Sequence, residues 1–245
     1  MGIVIGQEET LLAVVILTAV LVMALSRLLD HIWARSLPGP ALYFFISAPG
    51  VVIHECAHII GCLVTGAPIK KVVLLSKDGG MVSYGRPKIP VLGNVIISTA
   101  PLFFLPLVLA LLTWIFGTYL GCTFFQEIPA LNSPGSIITL ASAIGQTFSL
   151  NLISSFNAWF LLYLYLVTSL VLSFSPSTQD LNNALFGLVA LIIAVFLIFI
   201  ANIPYVTKFF VEIVGYFSMG LAIGFVFELV ALPLSLPLLL FYRRA

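Results

Sequence analysis

Between Ala41 and Ala67 the chain is apolar for longer than a bilayer is thick, yet His54, Glu55 and His58 stand in the middle of this stretch. A helix that spans a membrane needs about 20 mostly apolar residues. Apart from cysteines, those three are the only ionisable side chains in the stretch. His54-Glu55-Cys56-Ala57-His58 spells H-E-x-x-H. Residues four apart lie one above the other on a helix face, so both imidazoles can reach one metal ion with Glu55 beside them as general base. Such pentapeptides recur by chance in unrelated chains, but groups this costly to place in an apolar span mark a functional site.

The rest of the composition agrees with a membrane environment. The 245 residues are 61% hydrophobic and 8% charged, against about 25% charged in soluble domains. A net charge of +1, with no run of Lys and Arg, excludes a nucleic-acid partner. Cys56, Cys62 and Cys122 are too few and scattered for a disulfide framework. Cys62 shares the stripe of His54 and His58, but three ligands on one straight helix cannot surround a tetrahedral ion, so it reads as packing. The N-terminal run, preceded by Glu8 and Glu9 rather than by basic residues, reads as a retained first span.

The fold expected is an all-α polytopic membrane domain over 1–245, with about six spans and a membrane-associated β-hairpin after the second. The spans read as Thr10 to Leu29, Ala41 to Thr65, Val91 to Tyr119, Phe148 to Phe174, Leu181 to Ile203, and a last one ending at Phe241. Pro38-Gly39-Pro40 separates the first two. His31 neighbours charges at a membrane edge and reads as a solvated interfacial side chain. Val72 to Leu75 and Met81 to Tyr84 are strand-like runs around Lys77-Asp78-Gly79-Gly80, a hairpin signal. Its edge, Met81, Val82, Ser83 and Tyr84, is placed to add an extended substrate as another strand, or else is a plain cytoplasmic hairpin. Gly121 to Gln146 reads as a loop with a short interfacial segment, Asn202 to Lys208 as a turn, and Phe209 to Tyr216 as an interfacial or continuing helix. Asn151, Asn157, Asn182 and Asn183 read as hydrogen-bond partners between helices. Lys70, Lys71, Lys77, Arg86 and Lys88 in the hairpin, with Arg243 and Arg244, put hairpin and both termini on the cytoplasmic side, leaving Arg27, Arg35 and Lys208 as a minority.

A catalytic zinc uses three protein ligands and keeps one position open. Asp180, in the polar break Ser175 to Asp180, falls at the depth of His54 and His58. It fits equally as the carboxylate of a Ser177-x-x-Asp180 capping box. Glu228 is the best substitute, with Glu212 a further one.

With His54-Glu55-x-x-His58 in the second span, a Gly-Gly hairpin after it and an aspartate opening a later span, residues 41–195 resemble the site-2 protease family of intramembrane zinc metalloproteases. The resemblance implies His54, His58 and Asp180 as zinc ligands, Glu55 as general base, and hairpin residues Met81 to Tyr84 as the substrate edge. It implies hydrolysis of a peptide bond in or near a transmembrane helix of a membrane-protein substrate, with residues 196–245 adding C-terminal helices. Zinc would polarise the scissile carbonyl and activate water, Glu55 moving the proton to the leaving amine. Water then needs a polar channel, expected from the cytoplasmic face. Two other readings compete: a membrane zinc protease with Glu212 or Glu228 as third ligand, and a zinc or proton transporter, which this chain's lack of internal repeats disfavours.

Overall fold

The structure, a computed structural model, describes residues 7–76, 79–124, 134–175, 177, 178, 180, 189, 193, 204–235 and 237. Among these are six α-helices and one two-stranded antiparallel sheet: α1 (Gln7–Ser36), α2 (Pro40–Thr65), β1 (Ile69–Val73), β2 (Met81–Tyr84), α3 (Pro90–Tyr119), α4 (Pro134–Ser149), α5 (Ala158–Leu172) and α6 (Pro204–Ser235). Among the described residues, three stretches are long and apolar enough to cross a membrane: Val14–Ser36, Pro40–Thr65 and Leu92–Tyr119. Of the expected fifth span, Leu181 to Ile203, only residues 189 and 193 are described.

Chain direction follows from the contacts. Gly61 of α2 lies against Ile97 of α3, which returns antiparallel to it. Gly50 and Ser169, then His54 and Ser173, pair in ascending order, so α5 runs parallel to α2. Phe103 stacks near Phe217 and Pro106 against Gly220, so α6 runs parallel to α3. The Trp33 indole N–H donates to Ser235 Oγ at 2.7 Å, joining the C-terminal ends of α1 and α6. Helices α1 and α6 therefore end at the same end of the bundle. Lys208, in the first turns of α6, falls at the opposite end of the bundle, with the hairpin base.

Three boundaries differ from the sequence expectation. First, α1 continues to Ser36, past Leu29, with Arg35 in its last turn, where a cation faces the negative helix end. Second, the stretch read as one span from Phe148 to Phe174 is broken. Helix α4 runs to Ser149, the backbone opens into a π turn over Leu150–Ser154, and α5 begins only at Ala158. Two asparagines make the break. Asn151 Nδ2 donates to the Thr123 and Thr147 carbonyls while its Oδ1 accepts from Thr123 N–H. Asn157 Oδ1 caps α5 by accepting from Trp159 N–H, and Nδ2 donates to the Leu120 carbonyl. Both asparagines are expected from sequence to bond between helices; instead they bond the chain that leaves α3, Leu120 and Thr123, together with their own helix ends, and Asn182 and Asn183 lie outside the described residues. Third, residues 204–208, read as part of a turn, are helical: Pro204 starts α6, with fixed φ and no N–H to satisfy, and the helix runs unbroken through Phe209–Tyr216.

The core lies where α1, α3, α5 and α6 meet, around Leu105, Leu109, Phe160, Tyr163, Val167 and Leu221. Tyr163 hydroxyl and Thr113 Oγ1 lie 2.8 Å apart within it, so the polar tip of the ring is satisfied.

Candidate metal centre

The centre is built on α2, which is held between α5 and α3. Each contact needs a glycine. A side chain at Gly50 would overlap the Ser169 carbonyl, and a Cβ at Gly61 would sit 2.9 Å from Ile97 Cα. Small residues let backbones approach where helix association has no water to expel. Gly50 precedes His54 by one turn and Gly61 follows His58 by three residues. Each histidine therefore meets the backbone of one neighbouring helix.

His54 Nδ1 lies 2.9 Å from the Ser173 carbonyl oxygen, and His58 Nδ1 lies 2.8 Å from the Ile97 carbonyl oxygen. A carbonyl only accepts, so Nδ1 carries the hydrogen in both rings and Nε2 is left with its lone pair. Both carbonyls are free for identifiable reasons. Ser173 is the cap residue after α5, beyond the helical ladder. Ile97 is four residues before Pro101, inside α3, and a proline has no N–H to return to the carbonyl one turn earlier. The same chemistry repeats away from the centre: Pro49 frees the Phe45 carbonyl, which accepts from the Tyr165 hydroxyl at 2.8 Å.

Asp180 closes the set. Its Oδ2 lies 3.6 Å from His58 Nε2, near the roughly 3.3 Å that separates ligand atoms on a tetrahedral zinc with bonds of about 2.05 Å. One ligand atom from each of His54, His58 and Asp180 lies within 4.8 Å of the others, so this group could hold a metal ion. The capping role expected for Asp180 is formed as well. Ser177 Oγ donates to Asp180 Oδ2 at 2.5 Å, Ser177 N–H donates to the same oxygen, and Asp180 N–H donates to Ser177 Oγ at 3.1 Å. The box orients the carboxylate, as hydrogen bonds to metal ligands do. One residue thus has the geometry for both roles.

Glu55 is buried beside the histidines. The hairpin folds back to it. Ile69 stands opposite Tyr84, Lys71 opposite Ser83, Val72 opposite Val82 and Val73 opposite Met81, with a bulge at Lys70. The first strand therefore starts three residues earlier than the sequence suggests and ends before Leu74. Beyond the strands the chain turns at Ser76 to Gly79, where Ser76 Oγ donates to the Gly79 carbonyl. Gly80 then lies so close to Glu55 that a Cβ there would overlap its side chain. Of the candidate edge residues, Val82 and Tyr84 pack inward against Cys62, Ala67 and Ile97, whereas Met81 is exposed. Burial raises the Tyr84 phenol above its ordinary pKa. No third strand pairs with β2 among the described residues.

The other candidates fall elsewhere. Cys62 is buried between α2, α3 and the hairpin, as packing, and His31 is exposed on α1. Glu228 is completely buried in α6, its carboxylate oxygens without a hydrogen-bond partner, and does not join the metal group. The Glu212 side chain lies outside the described residues. Sequence reading overlooked Gly50, Gly61, Ser173 and the Ile97 carbonyl; only Pro101, one turn after Ile97, carried a readable signal for any of them. Comparison of the chain with protein-family models, curated proteins and solved structures finds no match.

Proposed function

We propose that this protein is an intramembrane zinc metalloprotease of the site-2 type, cutting a peptide bond in or near a transmembrane helix of a membrane-protein substrate. The observation that carries the reading is the set of one ligand atom each from His54, His58 and Asp180 gathered within 4.8 Å of one another, with Glu55 on the same helix. Two imidazoles and a carboxylate form a donor set suited to catalytic zinc. His54, His58 and Asp180 would hold the ion, which supplies a Lewis acid for the scissile carbonyl and lowers the pKa of water. Glu55 accepts the proton of the attacking water and returns it to the leaving nitrogen. The hairpin at Gly80 covers Glu55 and, through the free edge of β2, offers backbone groups to an unwound substrate. Lys70, Lys71, Arg86, Lys88 and Lys208 at the hairpin end favour that end as cytoplasmic, with the N-terminus on the same side.

The test is cleavage of single-span peptides by purified protein, alongside zinc content. Glu55→Gln is expected to keep zinc and lose activity by about a hundredfold or more, and Asp180→Asn to lose zinc. Zinc retained by Asp180→Asn but lost by Glu228→Ala would shift the third ligand to the late glutamate. Zinc uptake into liposomes that Glu55→Gln leaves intact would make the protein a transporter.

A further inference from the structure

Beside the centre lies a cavity of about 440 Å³ lined largely by polar side chains. From Glu55 and His54 it follows one face of α2 through Val51 and Ser47 to Tyr43, and is closed across by Arg27 and Asp30 of α1. Its remaining wall carries the serine and threonine hydroxyls between Ser173 and Thr178, with Leu172 and Val51 the only large hydrocarbon groups. At the far end the Tyr43 hydroxyl donates to the Asp30 carboxylate. Arg27 and Asp30 belong to a helix long and apolar enough to cross a membrane, where charged side chains are costly and face functional paths.

The lining indicates what fits. An apolar helix or a lipid chain would offer no hydrogen-bond partner to the Arg27 guanidinium or to the second bonding capacity of these hydroxyls, whose first partners are already within the chain: Ser173 to Ser169, Ser177 to Asp180 and Tyr43 to Asp30. An unwound peptide presents an N–H and a C=O at every residue, and hydroxyls serve either as donor or as acceptor. Tyr43 and Glu55 are twelve residues apart on α2, about 18 Å along the axis. That length matches about five residues of extended chain. The volume also falls in the range of ligand sites, about 300–1,000 Å³.

We propose that this chamber binds a polar, unwound peptide segment of about five residues adjoining the scissile bond, so that the preferred substrates are those whose apolar helix passes directly into Ser-, Thr- or Asn-rich sequence. The proposal rests on the hydrolase reading above and adds the substrate class to it. Water supply to Glu55 through the same space is the alternative.

The experiment uses the full chain, zinc-loaded in detergent, and two synthetic single-span peptides that differ only after the apolar stretch: five polar residues in one, five leucines in the other. The polar peptide is expected to be cut with about tenfold higher kcat/KM. Ser47→Leu fills the chamber seven residues before His54, about 10 Å away along the helix. It is expected to keep zinc and to lose about tenfold on the polar peptide, chiefly through KM. Tyr43→Phe keeps the ring and removes only the hydroxyl; it serves if Ser47→Leu does not fold, with about a fivefold loss expected. Equal cutting of both peptides, or a folded chamber variant with unchanged KM, overturns the proposal and leaves a water path only. If wild type cuts neither peptide, the hydrolase reading fails separately. Fluorescence anisotropy of the labelled polar peptide on Glu55→Gln protein then decides the chamber: binding weakened by Ser47→Leu upholds it, and no binding overturns it.

Discussion

On its α5 flank, α2 holds His54 to the Ser173 carbonyl; on its α3 flank, it holds His58 to the Ile97 carbonyl. The distances are alike, but the acceptors arise differently. Ser173 is free because α5 ends there, after only 15 residues, about 22 Å of helix and short of the roughly 30 Å of a bilayer core. Ile97 lies in the middle of a 30-residue helix and is free because Pro101 withholds an N–H. Ending a helix early also delivers the Ser173 to Asp180 segment, and with it the carboxylate, to the depth of the histidines. A proline leaves its helix running and changes one carbonyl. The α5 flank therefore combines acceptor, cavity wall and the Asp180 carboxylate of the group that could hold a metal, whereas the α3 flank supplies an acceptor alone.

The largest asymmetry is expected for the two glycines. Gly50→Ala sets a Cβ against the Ser169 backbone, which has no side chain to move aside. It is expected to destabilise the fold by about 2–3 kcal/mol and to weaken zinc binding, measured by unfolding and metal titration in one detergent. Pro101→Ala isolates the α3 flank. The new N–H competes with His58 for the Ile97 carbonyl, so zinc affinity is expected to fall about tenfold with stability unchanged or raised. Pro106→Ala, whose helix carries the same loss without a histidine, is expected to leave zinc affinity unchanged. Gly61→Ala sets a Cβ 2.9 Å from Ile97 Cα, a backbone contact but a shallower overlap than at Gly50, and is expected to cost about 1–2 kcal/mol. Tyr165→Phe removes the donor to Phe45 at the proline-freed carbonyl that touches no ligand. A loss of about 0.5–1 kcal/mol in stability, with zinc affinity unchanged, is expected. If Pro101→Ala binds zinc as tightly as wild type, the two flanks do not differ as described.

The helices that sequence located well are those whose ends are written in local chemistry. Helix α2 begins at Pro40 and stops at Gly66, within a residue of expectation, because Pro38-Gly39-Pro40 and Gly66 punctuate it. The turn of the hairpin was legible for the same reason. The misplaced boundaries are at Asn151 and Asn157, whose partners sit at 120 to 123, some thirty residues away. Hydropathy counts those asparagines as two weak interruptions in an apolar run; only their partners make them a break. Helix α6 was divided at Asn202 to Lys208 because polar residues there resemble a turn, whereas Pro204 followed by helix-compatible residues starts the helix instead.

By itself the sequence determined that the chain is built of apolar helices, that two imidazoles and a carboxylate share one turn of α2, and that a hairpin follows. These are consequences of spacing, and spacing survives any packing. Tertiary structure alone decided that Asp180 reaches His58 while Glu228 does not, that α6 ends beside α1, and that each ring's Nδ1 meets a backbone carbonyl. The choices between those outcomes lie in contacts across helices, Gly50 on Ser169, Gly61 on Ile97 and Trp33 on Ser235. Local sequence does not encode which neighbour a freed carbonyl or a small residue will meet.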